Sequence, residues 1–423
     1  MSRFRYLLRL AGQSAWNRKS TLLLVMLSIT LSTTLLLGIE RVRTQARENF
    51  AQAISGTDLV VGARGSGLQL LLYAVFHMGG AANNMGWDSA QRIAGNKDVA
   101  WTVPLSLGDS HKGFPVVATT SDFFTRYQYH RHSPLRFAQG VPFEGIFDVV
   151  LGSEVVRKAG YALGDRLVIS HGSGGTHLAQ HSDKPFTVCG ILDPTGTPID
   201  RGLYISLAAM EAIHIDWRNG APMPGFHIRA DQVTMFNLTP KSITALLVGL
   251  KNRARVFAVQ REINTGSGEA LMGVMPGVAM DQLWSMLRTG ENALRFISWL
   301  VTVTGLAGLV AVILAGLGER RRELAILRAA GASPLDIILL LLLEGMLLVL
   351  TGALAGLAAL STIIAVAGPY LSSHYGLGLT LSWPEHGEWL LLGTIVAAGT
   401  LSSFIPAWRA YRMSLADGLN VSI

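Results

Sequence analysis

Histidine is the residue type in this sequence with the clearest capacity for chemistry, because a neutral imidazole is the commonest protein ligand for metal ions. His171, His177 and His181 lie in one segment rich in glycine and serine. The last two are four residues apart, which is the spacing of two ligands on one face of a helix. His130 and His132 would share one face of a strand. These two groups predict a site for Zn²⁺ or a similar ion, and the alternative is a set of solvated loop histidines.

Motifs for nucleotide hydrolysis or nucleophilic catalysis do not occur in the sequence. The glycine-rich stretch at 62–67 (GARGSG) lacks the Gly-Lys-Ser/Thr ending that places a lysine on phosphates. Neither a G-x-S-x-G elbow nor an H-E-x-x-H motif is present. The single cysteine, Cys189, excludes an intramolecular disulfide and a cysteine-based zinc site. We therefore expect this chain not to be an enzyme, since a membrane-bound enzyme would have only the histidines in its favour.

Four apolar runs indicate a membrane protein. The 423 residues are 50% hydrophobic and 15% charged, whereas about 25% of the residues of a soluble domain are charged. The runs are long enough to cross the hydrocarbon core of a bilayer, and they predict transmembrane helices at 21–39, 296–317, 337–367 and 389–408. For the first run the alternative is a cleaved signal peptide, whose apolar region is usually shorter.

The basic residues flank these runs unevenly. The segments 1–20, 318–336 and 409–423 contain five, four and two Lys or Arg residues, whereas the loop 368–388 contains none. The 24 basic residues of the segment 41–295 are nearly balanced by 20 acidic residues. The positive-inside rule therefore places those three segments in the cytoplasm. The segment 40–295 then lies outside, together with the external loop 368–388. The net charge of +7 is largely a signal of this topology, so we expect no nucleic-acid partner.

The segment 40–295 is long enough to form its own core and predicts a mixed α+β domain. Runs rich in β-branched and aromatic residues between turn signals predict strands at 114–119, 148–151, 166–170, 186–192 and 202–205. Helical patterns predict helices at 153–160, 207–213 and 241–262, the last leading back to the second span. The apolar run 68–76 is too short to span a bilayer. It is either part of the core or a helix that faces the membrane or a substrate.

The cytoplasmic segment 318–336 carries the most informative pattern. Residues 319–330 predict a helix that ends at Gly331, and Ser333 with Pro334 would begin the next one. A short amphipathic helix between two spans suits docking into a groove on a partner protein. The alternative is a basic cluster that lies on lipid headgroups.

This segment (ERRRELAILRAAGASP) resembles the coupling segment of FtsX/MacB-type ABC transporter permeases. Other stretches are similar to the same family, and they are 150–153, 164–165, 186–191, 342–345, 405–412 and 414–419. Leu415 stands where the family often has proline. The resemblance covers nearly the whole chain. It implies an α-helical membrane domain of four transmembrane helices, one plus three, with the mixed α+β domain inserted between helices one and two.

The resemblance also implies how such a chain works. A separate ABC ATP-binding subunit, in two copies, would bind ATP and Mg²⁺, and this chain would contain no cofactor apart from any zinc on the histidines. A second permease copy would complete the assembly, as a homodimer or as a heterodimer with a paralogue. The residues that would couple the chain to the ATPase are Glu319, Arg320, Arg322, Glu323, Leu324, Leu327, Arg328 and Gly331.

The implied location is the bacterial inner membrane, in contact with lipid and with the large domain in the periplasm. The substrate would be met at the outer face of that membrane and would be a lipoprotein, a peptide, a lipid or a drug, with a further periplasmic partner allowed. Two alternative functions remain open. One is metal-linked (zinc) transport or sensing through the periplasmic histidines, and the other is a regulatory transducer that activates a cell-wall hydrolase.

Two features of the third predicted span allow more than one interpretation. Glu344 is an ionisable residue in an apolar run, and such a group usually faces protein or water. It would form a structural hydrogen bond, because a proton relay needs further ionisable groups at that depth. Gly352 and Gly356 form a small-xxx-small pattern, which permits close helix contact either within one chain or across a dimer.

Overall fold

The computed structural model describes residues 19–79, 83–129, 132–172, 180–218, 221–223, 226–319, 326, 328–329, 331–375, 379 and 381–412. The chain divides into two compact units. The membrane unit comprises Met1–Ala46, Leu287–Leu371 and Leu377–Ile423. The sheet unit comprises Arg47–Met286 and Ser372–Gly376.

Long and short helices alternate with strands along the described chain. The helices are α1 (Lys19–Gln52), α2 (Gly67–Ala74), α3 (Trp87–Ala94), α4 (Asp122–Arg126), α5 (Ser153–Ala159), α6 (Leu207–His214), α7 (Val256–Thr265), α8 (Pro276–Glu319), α9 (Pro334–Tyr375) and α10 (His386–Arg412). The strands are β1 (Leu59–Ala63), β2 (Met85–Gly86), β3 (Val99–His111), β4 (Phe114–Thr119), β5 (Gln128–Tyr129), β6 (Ser133–Pro134), β7 (Phe137–Gly140), β8 (Asp148–Leu151), β9 (Arg166–Leu167), β10 (Ser170–His171), β11 (Phe186–Leu192), β12 (Leu203–Ser206), β13 (Trp217–Arg218), β14 (Ala221–Pro222), β15 (Ser242–Ile243), β16 (Ala245–Leu250) and β17 (Leu271–Val274).

Four of the helices, α1, α8, α9 and α10, are long and apolar enough to cross a membrane. Each contains one of the predicted transmembrane segments. Helices α1 and α8 extend well beyond the apolar runs, because polar sequence that still favours helix follows the first run and precedes the second.

The sheet unit is built on an eleven-stranded mixed sheet. Its main path runs in the order β17-β1-β16-β3-β4-β12-β8-β11-β7, with β10 added beside β3 and β9 beside β11. Successive side chains of a strand point to opposite faces, so Leu59 and Val61 lie in one hydrophobic cluster and Val60 lies in the other. Because both faces are covered, the short central strands β4, β8, β12 and β16 are largely apolar.

The predicted helix at 241–262 is wrong. Residues 245–250 (ALLVGL) form β16, which pairs with β1 on one side and with β3 on the other. The α-helix begins only at Val256, after a 3-10 turn at Arg253–Arg255. A short, continuously apolar run fits a buried strand as well as a buried helix, and its two strand partners decide between them. The strands predicted at 114–119, 148–151 and 186–192 are confirmed, with the same first and last residues.

Helix α2 settles the interpretation of the apolar run 68–76. Leu71 and Ala74 of this helix are buried, and they belong to the hydrophobic cluster on one face of the sheet. The run is therefore part of the core of the sheet unit. Ser66 caps the helix, since its side chain accepts a hydrogen bond from the backbone of Gln69.

Helices α1 and α9 make very close contact at two glycines of the membrane unit. A Cβ atom on Gly352 would lie 2.8 Å from Cγ2 of Ile29, and one on Gly356 would lie 2.7 Å from Cβ of Thr33. The Thr34 hydroxyl donates to the carbonyl oxygen of Gly356 at 3.1 Å. The small-xxx-small pattern therefore packs helices within one chain, where absent side chains let the backbones approach.

We expect Gly356→Ile to destabilise the membrane unit, because the added side chain must displace Thr33 and the backbone of α1. Overpacking of this kind costs about 1–3 kcal/mol. The measurement is thermal unfolding of the full chain in mild detergent. Gly308→Ile is the matched control, since a Cβ at that helical glycine meets nothing within 4 Å. An equal loss of stability in both variants would contradict the packing argument.

A buried ion pair joins α1 to the start of α10. Nε of Arg41 donates to Oε1 of Glu388 at 2.7 Å, and Nη2 donates to Oε2 at 2.5 Å. Both side chains are at most 4% exposed. Arg41 also donates to the carbonyl oxygen of Ser382 at 3.2 Å. The planar fork of arginine matches a carboxylate with two parallel bonds, so this pair fixes the position of α10 against α1.

Arg41→Met should destabilise the membrane unit by about 3–5 kcal/mol, because Glu388 then remains buried without its counter-charge. The double variant Arg41→Met with Glu388→Leu should recover most of this loss, since it removes both buried charges. The four proteins of this cycle are compared by thermal unfolding in detergent. A double variant that is as unstable as the sum of the two single variants would show that the charges act independently.

Candidate functional site

Two strands bring the first two residues of the candidate site together. Strand β10 pairs antiparallel with β3 so that His171 lies directly opposite Asp109. The register between β3 and β4 shifts between Leu107 and Asp109, so Gly108 is an extra residue in β3. Such a bulge re-aims the side chain that follows it. Nδ1 of His171 lies 2.9 Å from Oδ1 of Asp109, whose side chain is fully buried.

His181 is held beside this pair by its backbone. Its N–H donates to the carbonyl oxygen of Ile169 at 3.0 Å, directly before β10. The side chain is fully buried, and neither ring nitrogen has a hydrogen-bond partner among the residues that the structure describes. The ring of Trp217 packs on it with centroids 4.1 Å apart. A buried polar group without a partner is costly, so this imidazole calls for an explanation.

His214 enters from the end of α6. Its Nδ1 lies 2.9 Å from the carbonyl oxygen of Met210, one turn earlier in the helix. This contact is a hydrogen bond only if Nδ1 carries the proton, which leaves Nε2 with a free lone pair. Nε2 lies 3.1 Å from Nδ1 of His171 and 3.5 Å from Oδ2 of Asp109.

The four side chains converge on one small volume. One nitrogen or oxygen atom from each of Asp109, His171, His181 and His214 can be chosen so that all four atoms lie within 4.8 Å of one another. The hydrogen bond to Asp109 raises the pKa of His171, whereas burial lowers the pKa of His181 to about 4. At neutral pH His181 is therefore an uncharged imidazole, which is the form that binds metal ions.

A second group of acidic and histidine side chains is arranged differently. Asp183, Asp216 and His227 also lie close together, but the ammonium of Lys184 sits between the two carboxylates. Its Nζ lies 2.8 Å from Oδ1 of Asp216 and 3.0 Å from Oδ2 of Asp183, and the lysine is fully buried. The buried cation already supplies the positive charge in this group. The ion pair anchors the backbone next to His181, because the N–H of Lys184 donates to the carbonyl oxygen of His181.

The structure brings together only part of the predicted metal-binding set. His171 and His181 lie in the four-residue group, whereas His130 and His177 lie outside the described residues. His132 is described and lies apart from the group, with Nδ1 2.9 Å from Oε1 of Gln128. The predicted site at His130 and His132 stays a prediction, because His130 lies outside the described residues.

Sequence reasoning missed Asp109 and His214. They lie 62 and 43 residues from His171, and only strand pairing and the packing of α6 bring them near it. One signal was available, because Asp109 is a charged residue inside a long and largely apolar strand. Buried aspartate is rare unless it is paired or binds a metal ion.

The predicted coupling segment is described in part. Arg320, Arg322, Glu323, Leu324 and Leu327 lie outside the described residues, and Glu319 is the last residue of α8. Arg328 is helical and half-buried.

The break after this helix has the predicted form. Gly331 has a φ of 96°, which favours glycine, and its N–H donates to the carbonyl oxygen of Arg328 at 3.1 Å. Helix α9 begins at Pro334, and both the N–H and the hydroxyl of Ser333 donate to Oδ2 of Asp336, at 2.9 and 2.7 Å. The predicted start of a helix at Ser333–Pro334 is confirmed, whereas most of the helix predicted at 319–330 lies outside the described residues.

Glu344 is buried in α9 and is 4% exposed. The next residue, Gly345, allows α10 to come so near that a Cβ there would collide with the Ser403 hydroxyl. The carboxyl group thus lies among helices of the membrane unit rather than on its surface, as expected for an ionisable group at this depth.

Two family models match the chain. Residues 295–415 match the FtsX-like permease C-terminal domain. Residues 21–265, more than half of the chain, match the MacB-like periplasmic core domain. The chain belongs to the FtsX/MacB-like family of ABC transporter permeases. The resemblance that begins at the coupling segment is therefore confirmed.

Two curated relatives of this permease are macrolide export ATP-binding/permease proteins. MacB of Nitrobacter winogradskyi is 23% identical over 333 residues, which cover 77% of this chain and 47% of that protein. MacB 1 of Aeromonas hydrophila subsp. hydrophila is 34% identical over 106 residues, which cover 25% of this chain and 16% of that protein. The matched part of the permease therefore spans at most about half the length of these relatives.

Two solved structures share a weaker likeness. The periplasmic region of MacB from Actinobacillus actinomycetemcomitans has a TM-score of 0.32 and 11% identity, covering 55% of the permease and 94% of that chain. The extracellular domain of the noncanonic ABC-type transporter YknZ from Gram-positive bacteria has a TM-score of 0.30 and 12% identity, covering 52% and 99%. Scores this low carry no argument about the fold.

Lys184→Met should destabilise the sheet unit strongly, because Asp216 loses its buried counter-charge. Breaking a buried pair costs about 3–5 kcal/mol, which lowers Tm by on the order of 10 °C for a unit of this size. Tryptophan fluorescence during heating of the full chain in detergent measures the change. Lys158→Met is the control, since that lysine is one-third exposed in its 2.7 Å pair with Glu154. Equal effects of the two substitutions would show that the buried pair has no special weight.

Proposed function

We propose that this permease transmits the motion of a separate ATP-hydrolysing subunit through the membrane to the sheet unit. Two chains would pair with two copies of the ATP-binding subunit, which would bind ATP and Mg²⁺. The assembly would lie in the bacterial inner membrane with the sheet unit in the periplasm, and this chain would have no catalytic activity of its own. The substrate, met at the outer face, would be a lipoprotein, a peptide, a lipid or a drug.

The observation that carries this proposal is a ladder of ion pairs between α1 and α8. Glu40 pairs with Arg295 at 2.9 Å, Arg43 with Glu291 at 3.8 Å, and Arg47 with Asp281 at 3.6 Å. As the residue numbers rise along α1 they fall along α8, so the two helices run antiparallel. These are the helices that lead into and out of the sheet unit along the chain.

These ion pairs affect the relative position of α1 and α8 more than the free energy of unfolding. Exposed ion pairs contribute about 0–1 kcal/mol each, and Asp281 and Arg47 are both more than half exposed. Glu40 is the best-placed member, because its carboxylate accepts from Arg43 at 2.6 Å and from Arg295 at 2.9 Å. Within the membrane unit, the pairs of Glu40 and Arg43 with Arg295 and Glu291 set the register of α1 along α8. Two helices must keep such a register if they are to move together.

The composition of the apolar segments supports mechanical coupling rather than a path for a polar substrate. Of the residues within the four predicted spans, Glu344 alone is charged. A conduit through the membrane is normally lined by polar or ionisable groups. The transporter would therefore act on its substrate outside the bilayer.

The test is purification of the full chain from native membranes in mild detergent, with every co-purifying protein identified by mass spectrometry. We expect an ATP-binding subunit in about equal amount. Leu324→Asp should abolish this association, because a carboxylate cannot be buried in an apolar docking groove without a large cost. Membrane insertion should be unchanged.

Ala329→Asp is the matched control for the docking face. Ala329 is exposed and lies on the opposite side of the predicted helix from Leu324 and Leu327, so this variant should retain the ATP-binding subunit. Recovery of the wild-type chain alone, in repeated mild preparations, would overturn the proposal. Retention of the partner by Leu324→Asp would overturn the docking role of this face.

A further inference from the structure

We propose that Asp109, His171, His181 and His214 bind one Zn²⁺ ion in the sheet unit, a site that the coupling function does not require. Three imidazoles and one carboxylate are a ligand set that zinc uses in tetrahedral sites. Calcium and magnesium ions prefer oxygen ligands alone, so the three nitrogen donors select against them. All four donors come from this chain.

Three of the four residues bring donor atoms close to the separations that a tetrahedral ion requires. With zinc–ligand bonds of about 2.0–2.1 Å, the donor atoms of a regular tetrahedron lie about 3.3–3.4 Å apart. Nδ1 of His171 lies 2.9 Å from Oδ1 of Asp109 and 3.1 Å from Nε2 of His214, which lies 3.5 Å from Oδ2, the other carboxylate oxygen of Asp109. His181 supplies the fourth donor, with all four atoms within 4.8 Å of one another.

The unpaired atoms of the cluster point to a cation rather than to a closed hydrogen-bond network. Both ring nitrogens of the fully buried His181, and Oδ2 of Asp109, make no hydrogen bond to any described residue. Leaving buried polar atoms unsatisfied costs about 1–3 kcal/mol each. A metal ion between them accepts lone pairs from the imidazole and from the carboxylate at once.

The surroundings already hold the ligands in the orientation that a metal needs. Nδ1 of His214 contacts the carbonyl oxygen of Met210, which leaves Nε2 for the ion. Histidines that bind metal ions usually have such a hydrogen-bond partner on the other ring nitrogen. Trp217 packs on the ring of His181, and the Lys184 pair holds the adjacent backbone. His171 and His214 remain about one-third exposed, which gives the ion a way in from solvent.

Four protein ligands leave no open position on a tetrahedral zinc ion, which is the character of a structural site and not of a catalytic one. The ion would tie β3, β10 and the end of α6 to the segment that contains His181. Binding of zinc would therefore stabilise the sheet unit, and its absence would loosen the contact between α6 and the sheet.

The test uses the full chain, purified in detergent with a tag that contains no histidine and stripped of metal by a chelator. Equilibrium dialysis against Zn²⁺, with elemental analysis, should find one ion per chain, with Mg²⁺ and Ca²⁺ unable to compete. His181→Ala and His214→Ala should weaken binding by about 100-fold or more, since even changes around a ligand cost 10–100-fold. His227→Ala, in the group whose two carboxylates already pair with Lys184, should bind as the wild type does.

A second measurement covers the case in which a variant does not fold. Free Zn²⁺ at about 100 times Kd should raise the Tm of the wild-type sheet unit by about 5–10 °C, and a chelator should reverse the rise. Co²⁺ in place of zinc should give the strong visible absorption of tetrahedral coordination. Wild-type protein without stoichiometric zinc, or a Tm that zinc leaves unchanged, would overturn the site, as would unchanged binding by both histidine variants.

Zinc binding and coupling to the ATPase can fail separately. The Leu324→Asp variant, which should lose the ATP-binding subunit, should still bind one zinc ion. A chain that binds zinc without any ATPase partner would therefore sustain this site while the proposed function failed.

Discussion

Burial of polar atoms away from water costs free energy unless each atom finds a partner, and both units of this permease are organised around that constraint. In the membrane unit, Arg41 and Glu388 satisfy each other with two parallel hydrogen bonds, and the Thr34 hydroxyl finds the carbonyl oxygen of Gly356 on the neighbouring helix. In the sheet unit, the fully buried Lys184 lies between two carboxylates. Except for the contact between Lys184 and the adjacent Asp183, these partnerships join segments that are far apart in the sequence. Satisfying the polar groups therefore also determines which elements pack together.

The same constraint gives the membrane unit its specificity. Lipid tails are as apolar as leucine, so helices gain little from apolar contact alone and associate through close packing and hydrogen bonds. Gly352 and Gly356 allow α1 and α9 to approach closely. The ion pair between Arg41 and Glu388 joins α10 to α1. The charged ladder between α1 and α8 follows where the apolar sequence ends. A helix pair with fixed register is the kind of element that the proposed coupling to an ATPase requires.

The histidine cluster contains buried polar atoms that have no hydrogen-bond partner among the described residues. His181 is fully buried with two unpaired nitrogens, and Asp109 has one unpaired oxygen beside it. Single buried atoms without a hydrogen-bond partner occur elsewhere among the described residues, such as Nε1 of Trp87, whereas three of them lie together here. A bound cation explains such a group of unpaired atoms, because the side chains are ones that zinc favours. The metal site and the coupling segment lie in different units and rest on independent observations.

Local pattern alone determined much of this protein. Apolar length and flanking charge indicate the four long helices, alternation and turns indicate strands such as Phe114–Thr119 and Phe186–Leu192, and Gly331 with Ser333–Pro334 marks the break before α9. These features depend on neighbours within a few residues. Tertiary structure decided the rest. Residues 245–250 form a strand because β1 and β3 pair with them on both sides. Strand pairing and helix packing bring Asp109 and His214 next to His171, which lies 62 and 43 residues away in the sequence. A periodic pattern encodes which face of an element is buried but not which distant side chain it meets, and that meeting is what a binding site consists of.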